Sequence, residues 1–217
     1  MFSGKDIDKQ SIPVKSYTIK MERRRLLLIV AALLCAMPLF AQSEALLSIN
    51  ENRLRLNKTN MYILGGWALG NMVTGVALRS RSEGPTRYFH EMNAGWNLIN
   101  LGLAAGGLYG SYTADPAVWD LAGTLAEQDK LERIILFNCA LNFTYMTAGA
   151  WMIERSKTTL NRPERLKGYG RSLVLQGGFL LLFDSWQYLA HHRMANPRIE
   201  EILKHVTFTG NGLSIGW

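Results

Sequence analysis

The chain has 217 residues, of which 48% are hydrophobic and 19% charged, and its net charge is +7. Its two cysteines exclude a disulfide-rich framework, and motifs for zinc or nucleophilic catalysis (HExxH, CxxC, GxSxG) are absent from the sequence. Beyond residue 41 the basic excess falls to 17 basic against 14 acidic side chains. No basic helix accompanies this small excess, which argues against nucleic-acid binding.

The N-terminal region has the pattern of a signal peptide. Three consecutive arginines end at Arg25, an apolar run covers 26–40, and the small residue Ala41 follows. The apolar run is shorter than the roughly 20 residues of a spanning helix. Leu39 departs from the small residue that the cleavage pattern favours, which leaves the exact cleavage site open.

This pattern divides the N-terminal region into three segments. We predict a polar extension over 1–20 upstream of a true start at Met21, a signal peptide over 21–41 and a periplasmic lead-in over 42–60. The alternative is that the apolar run stays in place as an uncleaved first membrane helix.

Four apolar stretches follow, each near the length of a membrane-spanning helix. They cover 61–78, 88–110, 134–153 and 172–190. The first and third connecting loops are basic and the second is acidic, so the positive-inside rule places the acidic loop and both termini in the periplasm. The predicted fold is an all-α, antiparallel four-helix transmembrane bundle over 61–190 in a bacterial inner membrane. A short irregular periplasmic tail over 191–217 completes it, although the alternation of apolar residues there also fits a hairpin.

Each apolar stretch carries amide or carboxyl side chains at helical spacing. They are Asn71 in the first stretch, Asn93, Asn97 and Asn100 in the second, Asn138 and Asn142 in the third, and Asp184 and Gln187 in the fourth. Such groups need partners in a bilayer, so we expect the helices to face one another through them. Counted from the cytoplasmic ends, Asn100, Asn142 and Asp184 share the middle level. Asn71 is expected level with Asn97, and Asn138 level with Gln187.

Asp184 is the strongest functional candidate, because a charge at the centre of a spanning helix costs roughly 2.5–3.5 kcal/mol on insertion. Histidines and a glutamate lie at the predicted membrane edges: His90, Glu91, His191 and His192. We interpret these as interfacial residues, because His90 and His191 belong to opposite faces and cannot share one metal ion. The sequence therefore predicts no cofactor and no metal.

Glycines repeat at the spacing that lets membrane helices pack closely. Gly66 and Gly70 form one GxxxG motif, and Gly102, Gly106 and Gly110 form two more in series. The two motifs lie on successive predicted helices. We therefore expect the first and second helices to approach each other through these glycines.

The segment Tyr88-Phe89-His90-Glu91-Met92-Asn93-Ala94-Gly95-Trp96-Asn97-Leu98-Ile99-Asn100 is the most distinctive run of the chain. It resembles an uncharacterised family of small multi-pass bacterial membrane proteins that carry an N-terminal signal peptide. The resemblance covers 61–217. It implies a location and a fold, but no activity.

These observations favour a non-enzymatic multi-pass inner-membrane protein, an accessory or assembly component. The alternative is a small-molecule or ion binder or transporter that uses the polar layer around Asp184. A weaker alternative is a membrane-embedded enzyme with Asp184 or Glu91 as its acid or base. The expected partners are the lipid bilayer and a protein partner or a second copy of the chain.

Overall fold

The computed structural model describes residues 14–204, 206–209 and 212–215, with side chains described mainly from 43 to 204. The chain divides into two compact units, Met1–Ser43 and Glu44–Trp217. The predicted extension and signal peptide fall in the first unit, and residues 1–13 lie outside the described residues. The second unit contains the predicted helical bundle.

The described residues form four long α-helices in succession, and the prediction of a helical bundle is confirmed. They are α1 (Val14–Arg79), α2 (Gly84–Thr113), α3 (Leu121–Arg155) and α4 (Pro163–Lys204), with a 3₁₀ turn at Pro116–Val118 between α2 and α3. All four exceed the predicted spans, α1 and α4 by the largest margins and α2 by the smallest. The extra turns of α3 fold because Asp120 caps its N-terminus, its carboxyl accepting from the Gly123 amide at 2.7 Å.

Consecutive helices of the second unit run antiparallel. Asn71 of α1 pairs with Asn93 of α2, and Gly75 of α1 lies against the carbonyl of His90, so residue numbers rise on one helix as they fall on the other. The same relation joins α3 to α4, where Asn142 meets Asp184 and Gly149 meets Gly170. The result is an up-down-up-down bundle.

Two small apolar clusters support the bundle. Leu64, Ala104, Leu180 and Phe183 form one, and Ile49, Ala195 and Ile199 form the other. Both join α1 to α4, and the first also includes α2. Much of the remaining interior is polar.

The C-terminal segment corrects the prediction of an irregular tail. Helix α4 continues to Lys204, and a hairpin of β1 (Val206–Thr209) and β2 (Gly212–Ile215) follows. The strands are antiparallel, with Val206 opposite Ile215 and Phe208 opposite Leu213. Alternating apolar residues therefore form a strand pair, which is the arrangement that the alternation also fits.

The membrane placement of the bundle is tested only in part. Among the described residues, one helical stretch, Ser43–Arg79, has the length and mean hydropathy of a candidate membrane span. A core helix or a signal sequence can meet the same criterion. The transmembrane character of all four helices therefore stays a prediction.

The predicted glycine contact between α1 and α2 is wrong. A Cβ added at Gly66, Gly70, Gly102, Gly106 or Gly110 would meet nothing within 4 Å, so these glycines face away from the neighbouring helices. Other glycines make the close approaches. The closest joins α4 to α2, where a Cβ on Gly168 would meet the Pro85 carbonyl oxygen. A pair of glycines joins α3 to α4, where a Cβ on Gly149 would lie 2.6 Å from the Gly170 carbonyl oxygen.

Candidate functional site

A layer of hydrogen-bonded amides lies inside the bundle near the loops that follow α1 and α3. Its centre is Asn93 of α2, which is 3% exposed. The Asn93 Oδ1 atom accepts from Gln176 Nε2 at 2.6 Å and from Ser172 Oγ at 3.1 Å. The Asn93 Nδ2 atom donates to Asn71 Oδ1 at 2.7 Å, so one side chain links α1, α2 and α4.

Neighbouring side chains complete this layer. The Trp67 indole donates to Gln176 Oε1 at 2.9 Å and its ring stacks on Phe179 with 3.7 Å between centroids. Asn97 donates to the Asn93 carbonyl, and Asn100 donates to Asn97 Oδ1 at 3.1 Å. The layer therefore satisfies its own hydrogen bonds, as register-fixing amides in a bundle are expected to do.

Asp184 forms a separate polar site between α3 and α4. Its Oδ2 atom accepts from Asn142 Nδ2 at 2.6 Å and its Oδ1 atom from Gln187 Nε2 at 3.1 Å. Asp184 is 6% exposed. Each carboxyl oxygen has two lone pairs, so acceptor capacity remains on both after these two bonds.

A cavity of about 390 Å³ opens beside Asp184. Its walls are mainly apolar and aromatic, with contributions from all four helices, and its polar lining is Asn57, Asn100, Asn138, Asn142, Asp184 and Gln187. None of the described lining residues is basic. The Trp96 indole, which also lines the cavity, is buried without a hydrogen-bond partner. Mainly apolar walls with a few convergent polar groups are typical of a small-molecule site.

The structure distributes the predicted site residues over both places. Asn142 and Asp184 are in contact as expected, and Asn100 lines the same cavity, but its amide bonds to Asn97 rather than to Asp184. Asn138 and Gln187 share the cavity wall. Asn71 pairs with Asn93, one turn from the expected level of Asn97.

Glu91 closes the end of the bundle beneath the amide layer. Its carboxylate forms a salt bridge with Arg79 at 2.9 Å and accepts from the Tyr169 hydroxyl at 2.6 Å, which ties α2 to α1 and α4. His90, next to it, packs edge-on against Phe89, and its Nδ1 atom is buried without a partner. The contacts of Glu91 join elements of the bundle, and neither Glu91 nor His90 lines the cavity beside Asp184.

The two histidines of α4 occupy different environments. His192 is partly exposed, its Nδ1 atom lies 3.3 Å from Glu132 Oε2, and its ring stacks on Tyr188. His191 is fully buried among the helices, and its interpretation as an interfacial residue stays a prediction. Burial lowers the pKa of His191 to about 4, and the nearby positive charge of Arg53 acts in the same direction.

A third polar region surrounds His191 and was missed at the sequence level. We call it the Arg53–His191 cluster, and it comprises Asn50, Arg53, Thr124, Gln128 and His191. Asn50 and Arg53 both bond to Thr124. Gln128 Nε2 donates to the Glu132 carboxylate at 2.8 Å and to the His191 carbonyl at 3.4 Å. All five side chains are at most 4% exposed.

A signal for this cluster is present in the sequence. Asn50, Arg53, Asn57 and Asn60 have the i, i+3, i+7, i+10 spacing that also places His90, Asn93, Asn97 and Asn100 on one helical face. The low mean hydropathy of 42–60 leads to its prediction as a polar lead-in. Periodicity of the polar residues identifies the buried face where hydropathy does not.

The described residues contain no group of three or more His, Cys, Asp or Glu side chains that could hold a metal ion. Comparison with known proteins gives one match. The model of a family of unknown function, DUF6992, matches residues 63–185, more than half of the chain and including the distinctive run at 88–100. No curated protein and no solved structure matches the chain.

Proposed function

Because the chain belongs to DUF6992, a family of unknown function, we propose its role from the geometry of its interior. We propose a multi-pass protein of a bacterial inner membrane that binds a small amphiphilic molecule with a positively charged or donor-bearing head. The observation that carries the proposal is Asp184, a buried carboxyl group with spare acceptor capacity on the wall of a mainly apolar cavity.

The distribution of polarity supports the membrane part of the proposal. Val73, Leu103, Phe143 and Leu182, one from each helix, are 61–75% exposed. Asn93, Asn97, Asn142 and Gln176 are at most 3% exposed. In water this arrangement would expose apolar surface on every side, whereas in a bilayer the apolar side chains face lipid and the amides find partners inside.

Charge supports the orientation. The loops after α1 and α3 are basic and the connection between α2 and α3 is acidic, so the proposal places the first two in the cytoplasm. The proposed spans are 61–78, 88–110, 134–153 and 172–190. The Arg53–His191 cluster then lies on the periplasmic side of the spans.

Cysteine labelling tests the placement. In a background without Cys35 and Cys139, single substitutions Ser82→Cys, Thr158→Cys and Thr113→Cys are treated in spheroplasts with a membrane-impermeant maleimide. We expect labelling of Thr113→Cys alone, with the other two labelled only after the membrane is permeabilised. Labelling of all three before permeabilisation would contradict the membrane placement, and the reverse pattern would contradict the orientation.

The cavity favours a positively charged amphiphile for two reasons. Its walls include Trp96, Tyr145 and Phe183, whose aromatic faces attract cations and pack against alkyl chains. Its one described ionisable acid, Asp184, has only neutral amide partners in hydrogen-bond contact. A carboxyl group in an apolar site gains most from a partner that brings a positive charge or a proton.

Ligand binding is tested with two probes of equal chain length, hexylammonium and hexanoate, on the protein in lipid nanodiscs. We expect hexylammonium to change Trp96 fluorescence saturably, with hexanoate silent and with the signal lost in Trp96→Phe. Asp184→Asn should weaken hexylammonium binding at least tenfold, because one ion pair in a site of low polarity is worth more than about 1.4 kcal/mol.

Asp129→Asn is the matched control, because Asp129 is an exposed acid on α3 that pairs with Arg133. It should leave binding unchanged. Equal binding of hexanoate, or a folded Asp184→Asn variant with unchanged affinity, would contradict the proposed ligand class.

A further inference from the structure

We propose that the Arg53–His191 cluster is a binding site for a small monovalent anion of the size of chloride. The cluster is distinct from the cavity beside Asp184, because neither Arg53 nor His191 lines that cavity. It also lies outside the residues that the family match covers, except for Thr124 and Gln128. The inference therefore stands whether or not the proposed ligand of Asp184 is correct.

Arg53 provides a buried positive charge that lacks a carboxylate in salt-bridge contact among the described residues. Its side chain is 4% exposed, its Nη1 atom donates to the Thr124 carbonyl at 3.2 Å, and its guanidinium lies 4.8 Å from the Trp119 ring centre. Its Nη2 atom is buried without a hydrogen-bond partner. Glu127, whose carboxylate pairs with Lys130, acts on the Arg53 charge only through space, and a bound anion would supply the acceptor that Nη2 lacks.

His191 faces the same region with unused hydrogen-bonding capacity. Both of its ring nitrogens are buried without partners, and its low pKa keeps the ring neutral at pH 7. A neutral imidazole offers one N–H donor and no charge. Arg53 is therefore the one positive charge of the cluster, and the carboxylates of Glu127 and Glu132 act on Arg53 and His191 from its edge. This balance admits a monovalent anion and disfavours a divalent one.

Two further features fit a negative occupant. Thr124 lies in the first turn of α3, which begins at Leu121, and the N-terminal end of a helix favours negative charge. Asn50 Oδ1 and Gln128 Oε1 are buried acceptors without partners, and water molecules that hydrate the anion would donate to them. Three helices enclose the cluster, which limits the occupant to a small ion.

Thermal unfolding of the full-length protein tests the site. Sodium chloride is titrated against sodium gluconate at constant ionic strength, so that only the size of the anion changes. At ten times the dissociation constant we expect chloride to raise the Tm by about 3–6 °C, and the rise should saturate. Arg53→Met should abolish the rise. Arg55→Met, two residues along α1 at an exposed position, should retain it.

A second measurement needs no variant, in case Arg53→Met does not fold. Chloride-35 NMR detects bound chloride as excess line width, which nitrate should remove by competition. Excess line width that nitrate displaces, together with a chloride-dependent Tm, supports the site. A Tm that does not distinguish chloride from gluconate, together with a chloride line width that nitrate leaves unchanged, would overturn the proposal and leave a cluster occupied by water alone.

Discussion

The two halves of the bundle solve the burial of polar groups differently. In the half that contains Asn93, which we call the asparagine half, the amides satisfy one another across three helices. In the half that contains Asp184 and the Arg53–His191 cluster, which we call the cavity half, a cavity of about 390 Å³ opens and several buried polar atoms lack partners. The same kinds of residue therefore give a closed layer in one half and an open site in the other.

The positions of the glycines explain why the helices pack closely in the asparagine half and leave space in the cavity half. In the asparagine half, Gly75 lies against the His90 carbonyl, and Gly149 and Gly170 lie against each other's backbone. Backbones that approach this closely bring short amide side chains within hydrogen-bond distance across the helices. Gly177 and Gly178 stand at the border between the halves, where a Cβ on Gly177 would lie 2.8 Å from the Asn142 carbonyl oxygen. Beyond this border the one described glycine of α3 and α4 is Gly123, whose neighbours are the capping residues Trp119 and Asp120. There the helices are separated by side chains and leave space.

The largest effect is expected from Gly149→Leu. A Cβ at this position would lie 2.6 Å from the Gly170 carbonyl oxygen, so the crossing of α3 and α4 must open. We expect a loss of about 3 kcal/mol in the free energy of unfolding. Gly106→Leu is the control, since a Cβ there meets nothing within 4 Å. Chemical denaturation in detergent measures both, and equal losses would show that the close crossing of α3 and α4 does not stabilise the asparagine half.

A smaller loss is expected from Asn93→Leu. The substitution removes the acceptor of Gln176 and Ser172 and the donor to Asn71, and it leaves those groups buried. We expect a loss of about 2–3 kcal/mol by the same assay. Thr144→Val, which removes an exposed hydroxyl bonded only to its own helix, should cost under about 0.5 kcal/mol. An unchanged stability in Asn93→Leu would refute the claim that the amide layer closes this half.

The cavity half should respond to pH through His191. Its pKa is lowered to about 4 in the folded protein from a usual 6.5, so the unfolded chain binds the proton more tightly. This contribution to stability is fully present above pH 6.5 and is lost as the pH falls towards 4. Between pH 7 and pH 5 we expect a loss of about 2 kcal/mol from this group.

His191→Gln should remove that part of the pH dependence, and His192→Gln should keep it, because that variant leaves the buried ring of His191 in place. Denaturation curves at the two pH values give the comparison. If the free energy of unfolding falls equally between pH 7 and pH 5 in wild type and in His191→Gln, His191 is not buried as a neutral ring.

The smallest effect is expected at the charged end of the asparagine half. Arg79 and Glu91 form a salt bridge whose side chains are 47% and 31% exposed. Solvent screens such a pair, so Arg79→Met should cost about 0.5 kcal/mol or less, and added salt should reduce the difference. If Arg79→Met costs more stability than Asn93→Leu, the charged pair stabilises this half more than the amide layer does.

Much of the fold could be predicted from the sequence, because helical periodicity acts within each element. Apolar and polar residues repeat at intervals that define four helices and place Asn93, Asn142 and Asp184 on inward faces. The prediction underestimated helix length. Hydropathy defines the apolar part of a helix, whereas the capping carboxyl of Asp120 fixes where α3 starts.

The candidate site was predicted in its members but not in its pairings. Asn142 and Asp184 meet, yet Asn100 bonds to Asn97, and Asn93 takes Gln176 of α4 as a partner. Glycine motifs were assigned to the wrong contact, because a GxxxG spacing defines a stripe of small residues without saying which neighbour faces it.

The sequence by itself determined the helices, the family, and the faces that carry amides and carboxyl groups. The tertiary structure decided which of those faces close and which leave a cavity, because a helix's own period says nothing of its rotation or its shift relative to a neighbour. Those two quantities follow from the close crossing at Gly149 and Gly170 and from the clusters around Leu64 and Ile49. The burial of Arg53 and His191 in one place is a consequence of that packing.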